Sequence, residues 1–297
     1  MIDKKILEEN TKLNKNFPFY IFNKSYNCDA NNILYLHWHD NIEIIYLIEG
    51  NATFDIGNNS IEALPGDIIF VNSKQLHTGF SINNTNIKFH CIVFSKSLIQ
   101  NNTFDQFYNK YISPFMEAKI LFPNKINTSA VNYNILKGYI ENIILEFNTK
   151  QTGYEIMIKN YISSIILFII RNNSFISNNL TTNQMFINTE KQFEDLFKYV
   201  SANYHKKISI NEAASIVNLS PYYFCRTFKK LTGKTFTQFV NLYRINAAEY
   251  LLRSTNMSVT EIAEKTGFCN LNYFSKIYKE FKKYPPTDCR KNNINNQ

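Results

Sequence analysis

His37, His39 and Glu43 are spaced H-x-H-x(3)-E, and His77 follows after a Pro65-Gly66-Asp67 turn. Imidazole and carboxylate together suit a transition metal ion. A second chemical signature lies toward the C-terminus. Arg226, Lys229 and Lys230 share one face of a helical stretch, and Lys276, Lys279 and Lys282 share a face of another. A basic helix face is the electrostatic footprint of a polyanion reader.

These basic faces belong to a pattern written twice. One copy, SINEAASIVNLSPYYFCRTFKKLTGKTFTQF, starts at Ser209; the other, SVTEIAEKTGFCNLNYFSKIYKEFKKYPPTDC, starts at Ser258. Ser209, Glu212 and Ala214 match Ser258, Glu261 and Ala263 at an offset of 49, and Phe224, Phe228 and Lys229 match Phe274, Tyr278 and Lys279 at an offset of 50. A repeat fixes the unit of structure. Each copy predicts helix, tight turn, helix. Ala214 and Ala263 let the helices cross closely. Asn218 and Gly267 are residue types that tolerate a left-handed backbone in the turn. Phe224, Phe228 and Leu231, like Phe274, Tyr278 and Phe281, recur at helical spacing and supply a buried face. Between the copies, residues 235–253 carry Phe239, Leu242, Ile245, Ala248, Tyr250, Leu251 and Leu252 at helical spacing. That predicts a rod of roughly 28 Å. Successive major grooves lie about 34 Å apart, so such a rod can space two recognition helices.

The length of 297 residues and the hydrophobic content of 44% suit a globular chain of two domains. The net charge of +8 is uneven: residues 205–297 hold 15 Lys/Arg against 6 Asp/Glu, and residues 1–204 hold 17 against 18. Only the C-terminal part is expected to meet a polyanion. The five cysteines (Cys28, Cys91, Cys225, Cys269, Cys289) contain no C-x-x-C pair. Reduced thiols in a cytoplasmic protein are expected, not a disulfide framework or a zinc site. The start MIDKKILEEN lacks an apolar export core, and the run YISSIILFII ends at Arg171, too short to span a bilayer.

Residues 33–94 have a β texture. ILYLHWH, EIIYLIEG, ATFDIG, DIIFV and IKFHCIVF are separated by Gly50, Gly57-Asn58-Asn59, Pro65-Gly66-Asp67 and Asn83-Asn84. Short strands with regular turns predict an antiparallel barrel or jelly roll. Residues 1–32 show little regularity. From about residue 129 the period becomes helical, with Val131, Ile135, Tyr139, Ile143 and Phe147 on one stripe. Residues 154–171 are apolar nearly all round and need cover on more than one side, from the barrel or from a second copy of the chain. Residues 172–188 are polar and aperiodic, as a linker would be. A helix with Phe193, Leu196, Phe197 and Val200 on one face is expected from about Thr189.

The C-terminal third resembles the AraC/XylS-type transcription regulators. The matching residues are Gly233, Phe236, Phe239, Arg244, Ile245, Ala248, Leu251, Leu252, Ile262, Ala263, Gly267, Phe268, Tyr273, Phe274, Ser275, Tyr278, Lys279, Pro286 and Arg290. Lys283 and Cys289 depart from the pattern, where a glycine and an aromatic are usual. The resemblance implies that each second helix lies in a major groove. Tyr222, Cys225 and Arg226, and in the second copy Asn272, Ser275 and Lys276, then face base edges. Arg226 suits guanine and Asn272 suits adenine. Lys229, Lys230, Lys279 and Lys282 face phosphate, which adds affinity and salt dependence.

The stretch from His37 to Gly50 resembles the cupin barrel, whose metal-binding members use two His, a Glu and a later His. On paired strands the four side chains could converge on one ion. Regulators of the AraC type commonly carry a cupin-like sensory barrel without using it as a metal centre. The resemblance therefore implies that His37, His39, Glu43, Tyr46 and His77 line an effector pocket, with no cofactor, no metal and no catalysis.

The expected fold is α+β. Residues 1–128 form a cupin-like effector-sensing β-barrel (jelly roll), 129–172 a helical packing and dimerisation segment, and 173–188 a linker. Residues 189–297 form an all-α DNA-binding domain with helix-turn-helix motifs at about 208–231 and 258–282, joined by a long linker helix. The implied function is that of a cytoplasmic, sequence-specific transcription regulator, an activator, with no membrane association. Its implied partners are double-stranded DNA, a sugar or related small-molecule effector, a second copy of itself in a homodimer, and RNA polymerase. The alternatives are a cupin metalloenzyme-like domain fused to a DNA-binding module, and a ligand-independent DNA-binding dimer.

Overall fold

The computed structural model describes residues 13–14, 16–27, 32–82, 85–99, 105–172, 180–282 and 284–289, with 180–191 as backbone alone. Two antiparallel sheets face each other in the N-terminal part. One orders β1 (Phe19–Tyr26), β8 (Ile87–Phe94), β3 (Ile42–Glu49), β6 (Ile68–Val71) and β9 (Lys125–Ile126). The other orders β2 (Asn32–His37), β7 (His77–Ser81), β4 (Ala52–Ile56) and β5 (Asn59–Ala63). Gly50 makes the turn from β3 to β4 at φ +82°, and a Cβ there would sit 2.1 Å from the Asn86 carbonyl oxygen.

The apolar runs face two ways, because strand side chains alternate. Ile45, Leu47, Phe54, Ile56, Ile69, Val71, Phe89, Cys91 and Val93 fill the space between the sheets. Ile42, Ile44, Ile68, Phe70, Ile92 and Phe94 face out of the five-stranded sheet. There α1 (Tyr133–Thr149) and α2 (Tyr154–Arg171) cover them with Leu136, Ile140, Ile143, Ile158, Ile162 and Ile166. Burial on both faces is why β3 reads as an apolar run from Ile44 to Ile48, with Glu43 the one charged residue among its buried positions. Each buried Ile or Phe contributes about 1.5–3 kcal/mol.

Two sequence expectations change here. Residues 19–26 are a strand, paired with β8 from Phe19 opposite Phe94 to Tyr26 opposite Ile87. The polar half, NKSY, hid it from a search for apolar runs. On α1 the buried face is Tyr133, Leu136, Ile140 and Ile143, whereas Ile135 on the helix and Val131 just before it are exposed. Steps of four residues drift by about 40° each on a helix of 3.6 residues per turn, so a stripe built from them leaves the core.

The C-terminal part is helical: α3 (Leu180–Asn203), α4 (Ile210–Ile216), α5 (Pro221–Thr232), α6 (Phe236–Ser254), α7 (Val259–Lys265) and α8 (Leu271–Lys282). Helix α3 begins at Leu180, so the second half of the expected linker is helical; residues 173–179, like Cys28, Lys283 and Arg290, lie outside the described residues. The sequence repeat reappears as a repeated capping box. Ser209 accepts the Glu212 N–H while Glu212 accepts the Ser209 N–H, and Ser258 and Glu261 do the same. Thr235 and Gln238 form a third box at the start of α6. Each cap is worth about 0.5–2 kcal/mol and fixes where its helix begins.

The turns of the two copies are left-handed as expected, at Asn218 (φ +53°) and Gly267 (φ +90°). They are not interchangeable. A Cβ on Gly267 would lie 2.6 Å from the His205 carbonyl oxygen. That approach is held by Arg244 on α6, which donates to the carbonyls of Tyr204 and Lys206 and lies over the Phe268 ring. Gly267→Ala is therefore expected to destabilise the chain by about 1–3 kcal/mol in chemical denaturation. Asn218→Gly should change stability by no more than about 1 kcal/mol.

Candidate functional site

The barrel cluster forms where β2 ends, β3 begins and β7 begins. His37 and His77 are cross-strand partners on β2 and β7. His39 follows in the loop, and Glu43 lies on the inward face of β3, in line with Ile45 and Leu47. All four are buried, and their ligating atoms lie within 4.8 Å of one another. His39 Nε2 and His77 Nε2 are each 3.1 Å from Glu43 Oε2. Burial and the two other imidazoles push His37 well below its usual value and keep it neutral. Burial opposes the Glu43 charge, but the contacts with His39 and His77 outweigh it and hold the carboxyl well below its usual range.

Tyr46 does not join this group. It lies an odd number of residues from Glu43 along a strand, so it faces the opposite side of the sheet. It packs with Ile44 under α1 and bonds with Tyr133. The expected pocket thus loses Tyr46 and keeps His37, His39, Glu43 and His77.

The faces expected to read DNA lie on α5 and α8. Ser220 caps α5 by accepting the Tyr223 N–H, and Pro221 occupies its first turn. Asn270 accepts the N–H groups of Asn272 and Tyr273 and so starts α8. Phe224, Phe228 and Leu231 turn inward on α5; Phe274 and Tyr278 do so on α8. Tyr222 (80% exposed), Cys225, Arg226, Lys229 and Lys230 face outward on α5. On α8 Asn272, Lys276 and Lys279 are exposed and Ser275 is half-buried. Helix α6 separates the two units and is 19 residues long, a rod of roughly 28 Å.

Lys282 is the exception among the expected phosphate contacts. Its side chain is 1% exposed and its ammonium is bonded to the Glu249 carboxylate and to Asn246 Oδ1. It occupies the core-facing stripe of α8, four residues beyond Tyr278, so no phosphate can reach it. Glu249 also bonds Arg253 and accepts from Tyr284. Burial opposes its charge, yet Lys282 and Arg253 hold its carboxyl below the usual range.

The same cluster reaches the barrel. The Tyr35 hydroxyl on β2 donates to Glu249 Oε2 at 3.1 Å, and the Lys282 ammonium lies 5.0 Å from the centre of the Tyr35 ring. Beside it, Leu36 and Leu76 are buried in the core of the first helix-turn-helix with Phe193, Phe197, Phe228 and Phe239. Lys74 pairs with Glu194 at 2.7 Å, and Lys234 pairs with Asp55 at 3.0 Å. Tyr35 and Glu249 were not anticipated as functional residues. The one available signal was an acid at position 249 inside the otherwise uncharged run from Ile245 to Leu252.

A barrel with a buried polar cluster, docked on paired helix-turn-helix units with exposed basic faces, defines a DNA-binding regulator with a ligand-binding domain. Residues 25–139 match the AraC-like ligand binding domain, and residues 213–292 match a helix-turn-helix domain. The chain belongs to the AraC-type transcription regulators. It is similar to the uncharacterized HTH-type transcriptional regulator YdeC of Bacillus subtilis, at 24% identity over 99% of this chain and 98% of that protein. It is also similar to the Msm operon regulatory protein of Streptococcus mutans, at 24% identity over 86% of each chain. Among solved structures, wild-type ToxT of Vibrio cholerae with an unsaturated fatty acid bound covers 91% of this chain and 94% of that one, at 13% identity and TM-score 0.49. Among the described residues, no helix is long and apolar enough to cross a membrane.

Arg226→Ala is expected to cost about 1–3 kcal/mol on the cognate site and to relax discrimination at one base pair. Lys279→Ala should weaken binding to all sequences and lower the slope of log affinity against log salt by about 1. Lys282→Met should leave that slope unchanged and instead lower folding stability by about 3–5 kcal/mol, because it strands a buried carboxylate. A reduced salt slope in Lys282→Met would restore the phosphate role.

Proposed function

We propose that the barrel controls how the two reading helices are presented, through the contact of Tyr35 with Glu249. Tyr35 carries this reading: it is two residues from His37 in the barrel cluster, and its hydroxyl bonds the helix that spaces the two DNA-reading units. An effector among His37, His39, Glu43 and His77 moves β2, and β2 holds α6 and the end of α8. The effector acts only to the extent that it binds the two arrangements with different affinity. Ile45, Leu47, Phe54 and Phe89 on the inward faces are apolar, and the His/Glu cluster offers a small effector its polar contacts.

The working unit is a homodimer in the cytoplasm, where its DNA is. Ile135, Leu145 and Ile156 on α1 and α2 are exposed apolar residues that a second copy would cover. The protein is a regulator and not a catalyst, in keeping with the names of its full-length relatives.

The test is a footprint and affinity series on the full chain. Tyr35→Phe keeps the ring and removes only the hydroxyl. It is expected to change operator affinity or effector response by a coupling of about 1–3 kcal/mol, or about 5–150-fold. Wild-type affinity and wild-type effector response in Tyr35→Phe, with Asp55→Asn equally silent, would reject the coupling.

A further inference from the structure

Lys74 stands in the turn from β6 to β7 with φ +68°, a left-handed backbone. A Cβ in that region crowds a carbonyl oxygen, so lysine is strained where glycine is not. Such strain persists only where the surroundings hold it in place. Here the Lys74 N–H donates to the His39 carbonyl at 2.8 Å, and the ammonium meets Glu194 at 2.7 Å and Asp40 at 3.6 Å. Ser73 Oγ donates to the Asp40 carbonyl and closes the turn onto the same loop.

The turn faces the barrel cluster on one side and the first helix-turn-helix on the other. The Gln75 carbonyl lies 2.8 Å from His77 Nδ1 and sets the direction of that ring. Leu76 is buried with Phe193, Phe197 and Phe228. Helix α3 meets the turn with Glu194, Phe197 and Lys198, which share a face at helical spacing. One carboxylate oxygen of Glu194 pairs with Lys74 and the other with Lys198. The Lys198 ammonium lies 5.9 Å from the centre of the Trp38 ring, and Trp38, between His37 and His39, packs 6.3 Å from the Phe197 ring. Elsewhere α3 is bound into the first reading unit. Phe193 stacks on Phe224 of α5 at 5.9 Å, Gln192 donates to the Val217 carbonyl, and Tyr199 donates to Glu212.

We infer that Lys74 is a positioning residue for the first reading helix: its pair with Glu194 fixes α3, and with it α5, against the turn that holds His77. The inference rests on the reading that the barrel controls how the reading helices are presented, and it adds a second route. Tyr35 reaches α6 and the end of α8; Lys74 reaches α3 and α5. The Lys74 side chain is 32% exposed and that of Glu194 18% exposed. A pair so open to water adds little to stability, and the left-handed backbone offsets what it adds. What the pair supplies is a fixed geometry between two elements.

The competing account makes Lys74 a turn residue with an incidental ammonium, as Lys150 at φ +48° simply ends α1. In that account glycine suits position 74 at least as well, and DNA binding does not depend on it.

The experiment uses the full chain and an operator selected by the wild-type protein from random duplex DNA. The half read by the first unit is the one whose protection is lost in Arg226→Ala. Lys74→Gly is expected to keep the wild-type denaturation midpoint and to lose about fivefold or more in operator affinity, with the loss confined to that half. Lys74→Arg should restore the affinity. Glu194→Gln should reproduce the loss, and the double variant should be no worse than either single one, because both remove the same contact. Wild-type affinity in Lys74→Gly with an altered Tyr35→Phe would overturn this inference and leave the Tyr35 coupling standing. An altered Lys74→Gly with a silent Tyr35→Phe would sustain it and reject the Tyr35 coupling; silence in both rejects both. A loss spread equally over the two halves, or one that follows a lowered denaturation midpoint, would also overturn it.

Discussion

Helix α6 sets the terms for the rest of the molecule. It must be covered on one side by the first helix-turn-helix, on another by the second, and along part of its length by the barrel. The buried positions therefore run nearly all round it, from Phe236 and Phe239 through Tyr243 and Ile245 to Ala248 and Leu252. A helix covered this way cannot tilt without moving both reading helices. Glu249 is the costly residue on it, since a carboxylate that is 3% exposed persists only while fully partnered. Lys282, Arg253, Tyr284 and Tyr35 supply those partners from three different elements. Satisfying one charge fixes the relation between linker helix, second reading unit and barrel.

Charge is otherwise sorted by face. Arg226, Lys229, Lys230, Lys276 and Lys279 stand in solvent on the sides of α5 and α8 away from their aromatic stripes. Left in water, they lose little on folding and remain available to phosphates or bases. Inward lie the phenylalanines: Phe193, Phe197, Phe224, Phe228, Phe236 and Phe239 meet at centroid distances between 5.2 and 6.4 Å. Edge-to-face geometry dominates several of these contacts, as the ring quadrupole favours. Lys282 shows the limit of the rule, because its place on the inner stripe decides its partner whatever its charge.

The two helix-turn-helix units were legible because their information is local. Capping serines, a left-handed turn residue and aromatics at helical spacing all act within about a dozen residues, and the chain repeats them. The convergence of His37, His39, Glu43 and His77 was also legible, since a spacing of two residues and a paired strand bring side chains to one face. Other features depend on more than local spacing. Strand β1 was overlooked because its polar half sits where the sheet has no cover. Tyr46 was placed in the pocket by its proximity to Glu43 in sequence, although an odd spacing on a strand sends it to the other face. Lys282 was read by its charge and not by its position in the stripe.

By itself, then, the sequence determined the elements and the chemistry each can offer: a two-sheet barrel with a His/Glu cluster, and two basic reading helices on either end of a rod. Those follow from periodicity, capping and turn preference, which are properties of neighbours along the chain. The tertiary structure decided which surfaces meet. Tyr35 finds Glu249 across 214 positions, and His205 finds Gly267. No local rule encodes such pairs, because they arise only when separately folded pieces bury apolar faces against one another and the polar groups caught at the boundary must then find partners.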